Sequence, residues 1–389
     1  TAPRICVRYE CVPMRFIKHV YKIHTYAQDG RLFEGKTPVS AFLNSSYDGS
    51  FIAGLMELRY IQSLPVERII NYFESHGFTL KKPTAHKLME KASSLFENLY
   101  KCIRQTALSD PYKAADETYY KILVPEKNSK GKGVRKGYLW VVVGINTRMI
   151  YLLYDDGSRS EKVILNELGG CKGIIQSDGY SPYRKLESDA YPHITRIPCL
   201  QHIKRKFIDC GEDDPDAKRI VEMINTLYQN EHKHKIGVDG WTVEQNLVHR
   251  KKYAPDILGE IKDVLDDIEE RGDLLPKSEL KEAITYLRNE WNAVVDIFNY
   301  GDTYLDNNIV ERMNRYISLS RKNSLFFGSH KGAERGAILY TIALTCRMNK
   351  VNLFEYLTDV INRTAEWQPN TPLEKYRLLL PDRWEKAND

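Results

Sequence analysis

The sequence predicts an α/β protein: a mixed five-stranded sheet interrupted by an all-α insertion and preceded by a mostly helical N-terminal region. Three observations lead there. Apolar residues recur at helical spacing from 48 to 106, at strand spacing from 114 to 200, and at helical spacing again to 365. With 42% apolar and 11% aromatic side chains, the 389-residue composition is globular rather than disordered. That length holds about two or three compact units, each with its own core.

Residues 1–45 read as short strands and loops. Cys6, Cys11, His19 and His24 raise a zinc site, but their spacing lacks the CxxC pairs of a ribbon or finger. Zinc is therefore not expected, and the segment reads as a small sheet, at most a degenerate ribbon. In 46–110, "SFIAGLMELRYI" has one apolar face, and "LPVERIINYFESHG" runs from Pro65 to a stop at Gly77. The turn "FTLKKPT" leads to "AHKLMEKASSLFENLYKCI". Helix, short turn and helix is the layout of a helix-turn-helix DNA-binding unit, and of any helical hairpin.

Strands take over in 111–210. "ADETYYKILV", the basic loop "EKNSKGKGVRKG", "YLWVVVGI" and "MIYLLYDDG" make a three-stranded antiparallel meander. A helix at 160–167, a fourth strand ending at Asp178, a fifth in "HITRIPCL" and a helix beginning "QHIKRKFIDC" complete this part. "GEDDPD" (211–216) reads as a linker, and four helical patterns fill 211–300. The clearest puts Leu280, Ile284, Leu287, Trp291, Val294 and Phe298 on one packing stripe. In 301–350, "DNNIVERMNRYISLS" reads as a helix capped by Asp306, followed by the loop "FFGSHKG" and a helix at 333–348. A helix at 353–365 opens the C-terminal helix and tail, 351–389.

The net charge is only +5, but its distribution is uneven. Lys130, Lys132, Arg135 and Lys136 crowd the hairpin loop, Lys204 and Arg205 lie in "HIKRKF", "HRKK" occupies 249–252, and Arg321, Lys322 and Asn323 lie in "SRKNS". Several such blocks together fit a polyanionic partner. The sequence has no apolar run of membrane-spanning length and no signal peptide, and a start at Thr1 reads as a processed or truncated chain. Seven scattered cysteines suit a reducing compartment.

Three acids carry the candidate chemistry. Asp116 heads the first strand, where a buried carboxylate is costly unless paired or metal-bound. Asp178 follows the fourth strand, the usual place of a site in an open α/β sheet. Glu311 lies on a helix that must pack back on the sheet if 211–300 is an insertion. Converging carboxylates repel unless divalent cations neutralise them. Mg²⁺ takes carboxylate oxygens at about 2.1 Å, and two such ions about 4 Å apart suit in-line displacement at a phosphodiester. A two-carboxylate glycosidase would leave the basic clusters unexplained.

"ADET" on the first strand, "QSDGY" after the fourth, "CLQHIKRKF", "NNIVERMNR" and "SRKNSLFFGS" together resemble the transposases of the IS66 family over residues 40–365. Those are DDE transposases with an RNase H-like catalytic core. The resemblance implies such a core in two parts, 111–210 and 301–350, with 211–300 as the insertion. It implies Asp116, Asp178 and Glu311 as the metal-binding triad, with two Mg²⁺ ions and Mn²⁺ as a substitute. It further implies Mg-dependent cleavage at transposon ends followed by 3′-hydroxyl strand transfer into target DNA. The implied setting is the bacterial cytoplasm at the nucleoid, with a homodimer or larger assembly and accessory proteins from the same element. Family members usually begin with a longer region carrying a cysteine-paired zinc ribbon. Pro13 and His19 follow its flanking pattern, but the paired cysteines are absent, and upstream segments are expected to be missing. The alternatives are an RNase H-like nuclease that does not join and a domesticated DNA-binding protein.

Secondary residues follow from that reading. Cys199 and His202 form a CxxH similar to the C/DxxH signature of several DDE groups, with His202 as a neighbour of the metal site or scissile phosphate and Cys199 as packing. Asn308 and Arg315 share the face of Glu311. Arg315 would orient that carboxylate or meet a phosphate, and Asn307 and Asn308 would hydrogen-bond around the metals. Arg321, Lys322 and Asn323 precede the Gly328–Ser329 loop, which suits contacts to DNA. Glu117, next to Asp116 on a strand, faces the other way and is the weaker ligand. Tyr180 and Tyr183 read as packing residues before base-stacking ones.

Overall fold

The computed structural model describes residues 14–35, 40–42, 45–127, 131, 133–211, 213–368 and 370–386. Cys6, Cys11, Pro13, Lys130 and Lys132 lie outside them. A small hairpin of β1 (Thr25–Gln28) and β2 (Arg31–Glu34) comes first, its residues exposed. Four helices follow: α1 (Gly49–Tyr60), α2 (Val66–Ser75), α3 (Lys82–Leu95) and α4 (Glu97–Ser109). Asp48 caps α1 by accepting from the N–H groups of Ser50 and Phe51. The single long helix expected after "FTLKKPT" is two, broken at Phe96, whose buried ring serves as the flanking residue of both.

The sheet begins with β3 (Tyr112–Leu123), β4 (Val134–Gly144) and β5 (Met149–Leu153), an antiparallel meander rich in β-branched and aromatic residues. After α5 (Glu161–Leu168), β6 (Gly173–Ser177) pairs parallel to β3. The short α6 (Ser181–Arg184) leads to β7 (Ile194–Pro198), parallel to β6, and then to α7 (Leu200–Ile208).

The insertion consists of α8 (Pro215–Glu231), α9 (Val243–Glu270) and α10 (Glu279–Ile297). It has three helices rather than four, because the pattern on both sides of Pro255 is one 28-residue helix with that proline on its exposed side. In the acidic stretch before α8, Asp214 caps that helix by accepting from the N–H of Ala217. The chain returns through α11 (Asn308–Ser324), β8 (Phe326–Phe327), α12 (His330–Met348), α13 (Leu353–Thr364) and a short α14 (Leu373–Arg377).

The sheet is therefore mixed and six-stranded, ordered β5-β4-β3-β6-β7, with the two-residue β8 as the unexpected sixth strand on β3. Two apolar cores flank it. One joins α1–α4 to the meander and to α12 and α13; the other joins β6, β7 and α7 to the three insertion helices. Thr341 and Thr345 of α12 donate to the helix and to Ile150 respectively, and accept from the N–H groups of Leu152 and Ile150, seating α12 on β5. No described helix is long and apolar enough to cross a membrane.

Candidate active site

The site forms where β3 changes partner. Its edge pairs with β6 only at Tyr112–Ala114 and with β8 only at Lys121–Ile122. Between these, α11 supplies side chains to the strand's backbone. The Nδ2 of Asn307 donates to the carbonyl of Ala115 at 2.9 Å, and a terminal nitrogen of Arg321 donates to that of Tyr119 at 2.5 Å. Buried carbonyls need such partners. The use of its side chain here explains why Asn307 flanks α11 without a side-chain cap, while Asp306, the expected cap, accepts from the N–H of Asn308. Val310, Ile317 and Ser320 form the buried stripe of α11, and Arg59 of α1 donates to Ser320 Oγ at 2.8 Å.

Asp116 lies in this stretch, and Asp178, just after β6, is close enough to act on its charge. Asp116 Oδ2 accepts from Asn314 Nδ2 at 2.7 Å and Oδ1 from the N–H of Glu117 at 2.8 Å. Burial, then the charges of Glu117 and Asp178, push its carboxyl up to about 8 against those two hydrogen bonds. Asp178 Oδ1 accepts from the N–H of Tyr180 at 3.1 Å. Glu117 projects to the opposite face, where it pairs with Arg159 and takes a 3.4 Å hydrogen bond from Tyr183. Its carboxyl is raised by burial, with Arg159 opposing and Asp178 adding.

Glu311 sits one turn before Asn314 on α11. Its Oε1 is 3.8 Å from His202 Nε2, and its ligand atoms lie within 4.8 Å of those of His202 and Cys199. It makes no hydrogen bond to either aspartate among the described residues. The Cys199 thiol takes a hydrogen bond from the N–H of Asn307 at 3.2 Å and is pushed up to about 11, chiefly by burial, which suits packing rather than ligation.

Glu311 Oε1, His202 Nδ1, Asn307 Oδ1 and Asn314 Oδ1 are buried without a hydrogen-bond partner among the described residues. Buried acceptors left unpaired are costly. Asn314 ties Asp116 to the helix that carries Glu311, while the ligand atoms found within 4.8 Å of one another among the described residues are those of Cys199, His202 and Glu311.

Residues 44–335 match the family described as "Transposase IS66 family". The chain belongs to that family. Three uncharacterized proteins of Sinorhizobium fredii (strain NBRC 101917 / NGR234) are similar to it. Protein y4jD is 26% identical over 346 residues, covering 85% of this chain and 65% of that protein. Protein y4hP is 24% identical over 97% of this chain and 70% of its own length. Protein y4qI is 26% identical over 94% and 69%. The chain thus spans about two thirds of the length of these IS66-type relatives.

Other residues singled out in this IS66 sequence are dispersed. Arg315 is exposed and forms no ion pair with Glu311. Asn323 donates to the carbonyl of Ser63 at 3.0 Å, tying α11 to the α1–α2 connection. Lys204, Arg205 and Lys322 lie on helix surfaces, and Arg135 and Lys136 on β4 at the mouth of the hairpin. Tyr183 is buried against Trp140. Tyr180 is only half-buried and has Arg159 4.1 Å from its ring.

Sequence reasoning missed what braces Asp178. Arg196 of β7 is fully buried, donates to the Asp178 carbonyl at 2.9 Å and to Ser177 Oγ at 3.1 Å, and pairs with Glu290 of α10. Tyr286, also on α10, accepts from the N–H of Gly179 at 2.9 Å. A Cβ on Gly179 would meet that tyrosine's oxygen at 2.5 Å, so a residue larger than the glycine of "QSDGY" would push Tyr286 off its place.

Proposed function

We propose that this chain is a DNA transposase that cleaves at transposon ends with a divalent cation and then joins the freed 3′-hydroxyl to target DNA. Membership of the transposase IS66 family supports the class. The observation that carries the chemistry is the half-buried pair Asp116 and Asp178, coupled in charge, with Asn314 of the helix that carries Glu311 hydrogen-bonded to Asp116. Asp116, Asp178 and Glu311 would hold Mg²⁺, or Mn²⁺ in its place, which when bound supplies charge neutralisation at the scissile phosphate. Asn314 fixes the rotamer of Asp116. The N–H of Tyr180 and the α10 brace orient Asp178, and His202 stands beside Glu311, where it can hydrogen-bond a phosphate oxygen.

The test is incubation with Mg²⁺, a labelled terminal repeat and a target duplex. Nicked ends and joined products are expected. Cleavage without joining would make the protein a nuclease of the same chemistry, and end binding without cleavage would make it a DNA-binding protein. A homodimer or larger assembly acting on two ends is part of the proposal, and mass photometry with end DNA reads it.

A further inference from the structure

The face of the sheet that carries Glu117 continues outward as an open strip in which tyrosines alternate with cations. Tyr119 and Tyr138 face each other across β3 and β4, and Lys121 and Lys136 are the next pair out. Arg321 lies 3.9 Å from the Tyr119 ring, Lys136 4.4 Å from Tyr119 and 5.1 Å from Tyr138, and Arg159 5.1 Å from Tyr138 and 4.1 Å from Tyr180. The order is therefore Arg321, Tyr119, Lys136, Tyr138, Arg159, Tyr180. At its far end Arg159 pairs with Glu117, and the N–H of Tyr180 donates to Asp178.

Two features mark it as more than surface decoration. Like charges directly opposite in an antiparallel pair are unfavourable, yet Lys121 faces Lys136 and neither has a carboxylate partner among the described residues. Tyr119 is 37% exposed, although an aromatic ring is normally covered when partners are at hand. A single nucleic-acid strand offers what this pattern lacks, namely a π-face and a negative charge per nucleotide.

We propose that this strip binds the unpaired strand of a DNA end, stacking bases on Tyr119 and Tyr138, placing phosphates at Lys121, Lys136 and Arg321, and delivering the strand to Asp178. The proposal rests on the transposase reading for the identity of the DNA. Its test is independent of catalysis: fluorescence anisotropy in EDTA, comparing a single-stranded oligonucleotide with a blunt duplex. Replacing both rings (Tyr119→Ala with Tyr138→Ala) is expected to weaken single-strand binding by about tenfold or more, as loss of base stacking does, with duplex binding unchanged. The matching Phe pair should restore it.

Single-strand affinity unchanged by the Ala pair overturns the proposal. If the Ala pair loses duplex binding as well, Lys121→Gln with Lys136→Gln, which keeps the rings, decides. A larger loss on the single strand upholds the strip, and equal losses on both DNAs overturn it. A wild-type protein that binds the single strand through these tyrosines but never cleaves would overturn the transposase reading and leave the strip standing.

Discussion

Asp116 has its carboxyl raised to about 8, so in the absence of metal it is protonated at neutral pH. An unfolded aspartate releases its proton near 3.9, roughly. Between those values the folded state binds the extra proton, so folding stability falls as pH rises from about 4 to about 8. Asp116→Asn removes this penalty. In EDTA, its melting temperature should exceed that of wild type by a few degrees at pH 8.5, and the difference should shrink towards pH 5. Added Mg²⁺ should stabilise wild type and leave the Asn variant unmoved. A pH-independent difference would mean that Asp116 is not the strained acid. Alanine at Asp116, Asp178 or Glu311 should cut cleavage by about three orders of magnitude, the scale seen when a main transition-state stabiliser is removed. End binding, read by mobility shift without metal, should be retained in all three. The Glu311 variant is the informative one, because the side chain it faces at 3.8 Å is His202.

Among the elements, α10 does more for the site than its apolar stripe suggests. Glu290 is 1% exposed and pairs with an equally buried Arg196, which also holds the Asp178 carbonyl. Removing one partner of a buried pair typically costs about 3–5 kcal/mol. Glu290→Ala should therefore lower stability by about that much in urea unfolding, and a loss below about 1 kcal/mol would show that Arg196 is held by its other partners. Tyr286→Phe leaves the Gly179 N–H without its acceptor. It should reduce the cleavage rate constant more than it weakens DNA binding, as befits a positioning residue.

These partners also mark where the sequence stops being readable. The strands of the meander, the position of Asp178 after an apolar strand and the helical face of Glu311 all follow from local period and composition. Arg196 with Glu290, and Gly179 with Tyr286, are joined across 94 and 107 residues, and no local pattern reports such pairs. The same holds for Asn314: it looks like one more polar residue on a surface helix, and only the path of β3 reveals that it meets Asp116. The helix break at Phe96 and the continuity of α9 through Pro255 are likewise decided by packing rather than propensity.

For the whole molecule, α11 is the bridge. Its N-terminal end brings Asn307 to the Ala115 carbonyl, Glu311 to His202 and Asn314 to Asp116. Its last turn takes Arg321 to the open strip and Asn323 to the N-terminal helices. The N-terminal helices share a core with β3–β5, α12 and α13, so any DNA they contact is held in fixed relation to the site. Arg135 and Lys136 lie exposed at the start of β4, next to the basic stretch 125–134 in sequence. If DNA runs from the β3–β4 hairpin over the sheet to Asp178, these cations displace condensed counterions, and affinity must fall steeply with salt. Neutralising Lys130, Lys132, Arg135 and Lys136 to Gln should then weaken end binding and reduce the slope of log affinity against log salt by about 0.9 for each phosphate that is no longer neutralised. Fluorescence titrations over a range of salt concentrations measure that slope directly. A weaker affinity with an unchanged slope would mean that the hairpin acts by shape alone, and an unchanged affinity would move the DNA path to α7 and the exposed side of α11.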